Sequence, residues 1–180
     1  MEQLPSSERN LAHIVKEINQ MCFTDQELRE RNLLSGDEFW DEDIDIKNTC
    51  RMKEIVQEIG WPMISKVGSE AAFDAWLLVQ HADHDVEFQE YCLGLMQAAS
   101  DGDVDRRNIA YLEDRIRVNQ GRGQIYGTQF IQKDGMHMAQ PIEDQENVDI
   151  RRAQMGMGPL TEQIEEMYKK YPFDEVEGKI

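Results

Sequence analysis

The chain has 180 residues, 40% of them hydrophobic, and its 36 acidic and 19 basic side chains give a formal net charge of −17. That length is the size of one domain, with enough apolar residues for one core. A field of that sign repels phosphate backbones and anionic lipid heads, which argues against nucleic acid and membrane surfaces and is compatible with a basic protein partner or a cationic substrate.

Leu11, Ile14, Val15, Ile18 and Cys22 recur at helical spacing and predict a first amphipathic helix over about 6–22. Thr24-Asp25-Gln26-Glu27 reads as a fresh helix start, with a short helix to about Leu34. An acidic connection from Ser35 to Asp45 follows, carrying Phe39-Trp40 among its carboxylates. An aromatic pair in such a loop is the alternative functional element, a docking point for a basic protein partner.

The next helix carries Ile44, Met52, Ile55, Val56 and Ile59, and stops at Gly60 ahead of Pro62. The third begins near Gly68-Ser69-Glu70. Its apolar residues from Ala71 to Val79 cover nearly the whole circumference, which predicts a buried, central helix. A fourth helix follows the cap residue Asp85, with Phe88, Tyr91, Cys92, Leu95 and Ala99 as its stripe. Cys22, Cys50 and Cys92 are odd in number and dispersed, which argues against a disulfide framework or cysteine-zinc site and for a reducing compartment. Cys92, on an apolar face, is expected to be a buried structural thiol.

A fifth helix spans about 105–119 and ends at Gly121 and Gly123. The period then changes to two over Gln124–Phe130, and Asp134-Gly135 before Met136-His137-Met138 signals a β-hairpin. Gly127 within the alternating run marks a close backbone approach. Two last helices are expected near Val148–Met155 and Leu160–Tyr171, separated by Gly158-Pro159. The fold class is therefore mainly α: a single helical domain of six or seven helices with one small β-hairpin. Within 1–180, residues 1–43 form an N-terminal helical extension with an acidic linker, 44–160 the core and 161–180 a C-terminal helix and tail. The N-terminus lacks an apolar h-region and the apolar run Ala75–Val79 is far short of the ~20 residues of a membrane span, so a cytoplasmic protein is expected.

The chemistry-bearing stretch is Gln80-His81-Ala82-Asp83-His84-Asp85. With Phe73 at the centre of the buried face, Gln80 and His84 fall within ~40° of it and His81 at ~80°, provided the helix continues through His84. Polar groups placed inward need partners, because burying them unpaired costs a few kcal/mol each, roughly. His81 and His84 are the candidate acid–base pair, suited to proton transfer near neutrality once a carboxylate orients the ring. At i, i+3 they are also the candidate ligands of a divalent metal, with Asp114 as a third; no other cofactor signature is present. Tyr111, Asp114 and Arg115 share a face of the fifth helix. Asp114 is read as a catalytic carboxylate and Arg115 as a clamp for an anionic group, and against this stands a plain structural ion pair. Gln80, Tyr111, Arg115, Tyr126, Thr128 and Gln129 are the candidate substrate-binding residues. Arg151 and Arg152 add positive charge, while His13 and His137 lack a supporting motif.

The ordered motifs Gly60-Trp61-Pro62, Ser65-x-Val67-Gly68, Ala75-Trp76-Leu77-Leu78-Val79-Gln80-His81-Ala82-Asp83-His84-Asp85, Tyr111-Leu112-x-Asp114-Arg115, Tyr126-Gly127-Thr128-Gln129, Pro141-Ile142-Glu143-Asp144 and Val148-Asp149-x-Arg151-Arg152 resemble a bacterial domain-of-unknown-function family. The resemblance covers roughly Thr49 to Leu160. It implies a bacterial origin and a recurring unit made of the histidine helix, the Tyr-x-x-Asp-Arg helix and the Tyr-Gly-Thr-Gln segment. It implies no reaction. The expected function is a small soluble enzyme or ligand-binding domain that performs acid–base chemistry on a small anionic or polar substrate. The alternative is a non-catalytic interaction module with an acidic surface and a buried polar network.

Overall fold

The computed structural model describes residues 6–35, 42–133 and 136–170. Phe39-Trp40 and the Asp134-Gly135 turn lie outside the described residues. Among those described, the chain is mainly helical with one two-stranded antiparallel hairpin: α1 (Ser6–Ser35), α2 (Glu42–Ile59), α3 (Ile64–Val67), α4 (Ser69–Gln80), α5 (Val86–Gln97), α6 (Arg106–Asn119), β1 (Phe130–Lys133), β2 (Met136–Ala139), a 3-10 turn (Gln145–Asn147), α7 (Val148–Gln154) and α8 (Leu160–Lys170). No described helix is long and apolar enough to cross a membrane. The contacts gather into two compact units, Met1–Ile109 and Ala110–Ile180, with the division inside α6.

In the first unit α4 packs against α1, α2, α3 and α5. Ile14, Ile18 and Cys22 from α1, Met52, Ile55 and Val56 from α2, and Ala71, Ala75, Leu78 and Val79 from α4 make its core. The expected stops appear: Gly60 turns left-handed at φ 71° and its amide returns to the Val56 carbonyl at 2.9 Å. Asp85 caps α5 by accepting from the Phe88 amide at 3.1 Å.

Three sequence expectations for this unit are corrected. The α1 helix runs unbroken through Thr24-Asp25, because Asp25 finds tertiary partners for its carboxylate instead of turning back on the backbone as a cap. The α4 helix ends at Gln80, not His84: the Gln89 amide donates to the carbonyls of Val79 and Gln80 at 3.1 and 3.3 Å, satisfying the helix end where it stops. Phe73, taken as the centre of the buried face, is 48% exposed; the inward face is that of Ala71, Ala75, Leu78 and Val79. The short α3 between Pro62 and Gly68 had no periodic signal to announce it.

In the second unit β1 pairs with β2, Phe130 opposite Ala139 and Gln132 opposite His137, and α8 packs on β2. The strand expected from Gln124 starts only at Phe130. The backbone amides of Ile125, Tyr126 and Thr128 bind a carboxylate instead of a neighbouring strand, so the alternation there does not produce a ladder. Gly127 has φ 70°, and a Cβ on it would meet Ile142 Cδ1 at 2.7 Å and Leu160 Cδ1 at 3.0 Å.

Candidate functional site

In the first unit the chemistry gathers around Asp25. Its carboxylate is fully buried on α1 and accepts from the Arg29 Nε at 3.1 Å to each oxygen and from the Gln26 amide at 2.7 Å. The His81 Nδ1 lies 3.0 Å from Asp25 Oδ2, and the same guanidinium reaches Asp45 through Nη2. Burial pushes the Asp25 carboxyl up, but the hydrogen bonds from His81 and Arg29 outweigh it and hold its pKa at about 2. Asp25 is therefore an anion at neutral pH.

An anionic carboxylate can only accept, so Nδ1 carries the proton and Nε2 is left as the basic nitrogen. Nε2 has no partner among the described residues, and the side chain is 17% exposed. The ring is held by its back edge with its reactive edge available. His81 sits there because α4 ends one residue earlier: at φ −90° and ψ 0° it is the capping residue, its amide bound to the Leu77 carbonyl. His84 is exposed in the turn before α5. Gln80 is buried, its carbonyl taken by Gln89.

The residues that build this cluster beside His81, namely Asp25, Arg29 and Asp45, were not singled out from the sequence. The i, i+4 spacing of Asp25 and Arg29 is a local signal, but nothing local connects either to His81, 56 residues away. Among the described residues, Asp25, Asp45 and His81 offer the only three donor atoms that approach a metal-ligand set, lying within 4.8 Å of one another. The Arg29 guanidinium already spans both carboxylates.

The second unit brings together most of the other candidates. Arg115 Nη1 donates to Gln129 Oε1 at 3.1 Å, Gln129 Nε2 donates to Thr128 Oγ1 at 2.9 Å, and that hydroxyl donates to Asp114 Oδ2 at 3.0 Å. Asp114 is fully buried and also accepts from the backbone amides of Ile125 at 2.7 Å, Tyr126 at 3.1 Å and Thr128 at 3.0 Å. With four donors on two oxygens it is an anchor for the loop. The Tyr126 hydroxyl faces Glu113 at 3.5 Å; burial and the Glu113 carboxylate push its pKa up to about 12. The Tyr111 hydroxyl accepts from Gln163 at 2.9 Å.

Three residues of this network were missed or read differently from the sequence. Gln124 is fully buried; its amide donates to the Gln129 and Gln140 carbonyls at 3.0 and 2.9 Å and its oxygen accepts from the Gln129 amide at 2.6 Å. Arg152 is buried and donates to the Gly158 and Tyr126 carbonyls at 2.7 and 2.8 Å, while Arg151 donates to that of Ile125 at 2.8 Å. Both arginines hold backbone. Cys92 is buried as expected, and desolvation pushes its thiol up to about 12, which keeps it unreactive.

A family model described as a family of unknown function, DUF6624, matches residues 16–174. No curated protein and no solved structure matches the chain. The matched span takes in all the motifs from Gly60-Trp61-Pro62 to Arg151-Arg152, together with Asp25, Arg29 and Asp45.

Proposed function

The chain belongs to the DUF6624 family, whose function is unknown, and from its own side chains we propose that His81 is the acid–base group of a small enzyme or ligand-binding domain acting on a polar substrate. One observation carries the reading: Nδ1 of His81 rests on a buried, ionised Asp25, which fixes the tautomer and leaves Nε2 to take or give a proton. Asp25 is the positioning residue and Arg29 holds it charged. With a neutral imidazole the cluster of Asp25, Asp45 and Arg29 carries a net negative charge, which favours a neutral polar or cationic group over an anion. The bacterial, cytoplasmic setting expected from the sequence remains part of this proposal.

The test reads the imidazole directly. Protein with nitrogen-labelled histidine is titrated with a panel of amides, esters, amines and sugars, followed by long-range proton–nitrogen correlation. The free protein is expected to show His81 protonated on Nδ1. At least one compound should move its Nε2 resonance, and binding or turnover of that compound should disappear in a folded His81→Gln variant. Full retention in that variant, or an Nε2 no compound moves, overturns the proposal.

A second reading is favoured by the 4.8 Å grouping of Asp25, Asp45 and His81 donor atoms: a divalent cation displaces Arg29 and takes its two carboxylates. Manganese and zinc titrations of wild type and Arg29→Ala decide it. Removing the competing guanidinium should tighten binding by about tenfold or more, the effect expected of a like-charge competitor in a shared site. No binding by either protein removes the metal.

A further inference from the structure

The motifs Gly60-Trp61-Pro62 and Ala75-Trp76 have no part in the histidine cluster, yet within the first unit they meet. The left-handed turn at Gly60 ends α2 and delivers Trp61, whose carbonyl accepts from the Met63 amide at 2.9 Å to start α3. Phe73 and Trp76 on α4 stand with ring centroids 5.2 Å apart at an interplanar angle of 51°. These three aromatic side chains line a cavity of about 200 Å³, together with Asp103, Val104 and Asp105 of the connection between α5 and α6. Trp61 is 2% exposed and Trp76 7%, against 48% for Phe73, so the aromatic lining runs from floor to open rim. That volume lies below the ~300–1,000 Å³ of pockets for drug-sized ligands and suits a compact head group.

The polar groups of the lining specify its sign. Asp103 accepts from the Ser65 amide at 2.6 Å and the Ser65 hydroxyl at 2.8 Å, and no described cationic side chain pairs with it. Asp105 is different: it caps α6 at the Arg107 amide and is ion-paired with the Arg107 guanidinium at 2.6 Å. One uncompensated carboxylate is thus left at the cavity. Asn108, also in the lining, is 9% exposed, and its side-chain amide meets no hydrogen-bond partner among the described residues. Its amide atoms are not shut off from solvent, so a guest in the cavity can reach them. An anion is opposed by Asp103, and a purely apolar guest would leave its charge uncompensated. Aromatic faces with a carboxylate beside them are the chemistry that holds an organic cation.

We propose that the cavity lined by Trp61, Phe73 and Trp76, with Asp103 and Asn108, binds a small organic cation of the alkylammonium class. The aromatic rings take the alkylated head, Asp103 supplies the counter-charge and Asn108 receives a polar substituent. The site is independent of His81.

Its test uses the full chain carrying Trp40→Phe, so that tryptophan fluorescence reports Trp61 and Trp76 alone. Tetramethylammonium and choline are titrated against tert-butyl alcohol, a neutral compound of similar shape, with calorimetry as a second readout. Both cations should change the fluorescence saturably, and the neutral compound should bind about tenfold or more weakly, since the cation–π and carboxylate contributions are lost. Phe73→Ala and Asp103→Asn should each weaken the cations several-fold, while His81→Gln leaves their binding unchanged. A trimethyl-lysine peptide binding more tightly than choline would place the cation on a protein, and the reverse order a free metabolite. Equal binding of tert-butyl alcohol, or no saturable change with either cation and with calorimetry silent, overturns the proposal.

Discussion

Asp25 is where a single residue carries the most consequence. Its ordinary pKa of 3.8 falls to about 2 because the hydrogen bonds from His81 and Arg29 exceed the cost of burial. A folded-state pKa below the unfolded one contributes stability that is complete above about pH 4 and is lost as pH falls through about 2. Denaturant unfolding of the wild type should therefore lose on the order of 2 kcal/mol across that window beyond what Asp25→Asn loses. Parallel pH profiles for the two proteins would refute this. At neutral pH Asp25→Asn should cost about 3 kcal/mol, because it leaves Arg29 facing one carboxylate fewer in a buried setting. The histidine was legible in the sequence, since an imidazole at the end of an apolar helix contradicts the pattern around it. Its carboxylate was not. Asp25 sits beside Thr24 in a string that locally reads as a helix start, and only the meeting of α1 with α4 reveals its use.

At the scale of elements, the loop over 124–129 takes its shape from side chains that replace a missing strand. Asp114 supplies an acceptor for three of its amides, Gln124 bridges its ends and Arg151 and Arg152 hold its carbonyls. Asp114→Asn turns half of that acceptor into a donor facing amides. It should cost about 3 kcal/mol by orphaning buried groups, and amide exchange should accelerate at Ile125, Tyr126 and Thr128 ahead of the β1 amides. Uniform acceleration through the second unit would instead mean that this loop and the hairpin open together. Gly127→Ala places a Cβ against Ile142 at φ 70° and should cost about 1–3 kcal/mol through backbone strain and overpacking, read as a lower unfolding midpoint. A wild-type midpoint would show that Ile142 and Leu160 give way. This scale also explains which elements the sequence announced. The α2, α5 and α6 helices have strong apolar periods and stops such as Gly60 and Asp85 that act locally. The start of β1 was misplaced because Gln124 and the adjacent Thr128 and Gln129 are buried in a hydrogen-bond network rather than on one face of a pleat, a cause that the letter pattern of so short a run does not reveal.

For the whole molecule the dominant quantity is the excess of acid, a net charge of −17. Two electrostatic effects oppose each other as salt is added. Self-repulsion of the uncompensated carboxylates weakens, which stabilises the folded chain. Ion pairs near the surface, such as Arg51 with Glu17 and Glu54 and Lys53 with Asp85, are screened and lose part of the roughly 0–1 kcal/mol each contributes. The pair of Arg29 with Asp25 is buried on the carboxylate side and is screened far less. The pairs are local, whereas the repulsion sums over the entire surface and reaches about 30 Å at 0.01 M salt but about 10 Å at 0.1 M. Repulsion should therefore win, and the thermal midpoint should rise with sodium chloride between about 0.01 and 0.5 M. The rise should amount to several degrees, because each kcal/mol moves the midpoint by about 2–4 °C in a chain of this length. Chloride is the right anion, since sulfate would add its own strengthening of apolar burial. A midpoint that falls with salt would assign the charge balance to the ion pairs, and the acidic surface would then have to be explained by a cationic partner rather than by solvation.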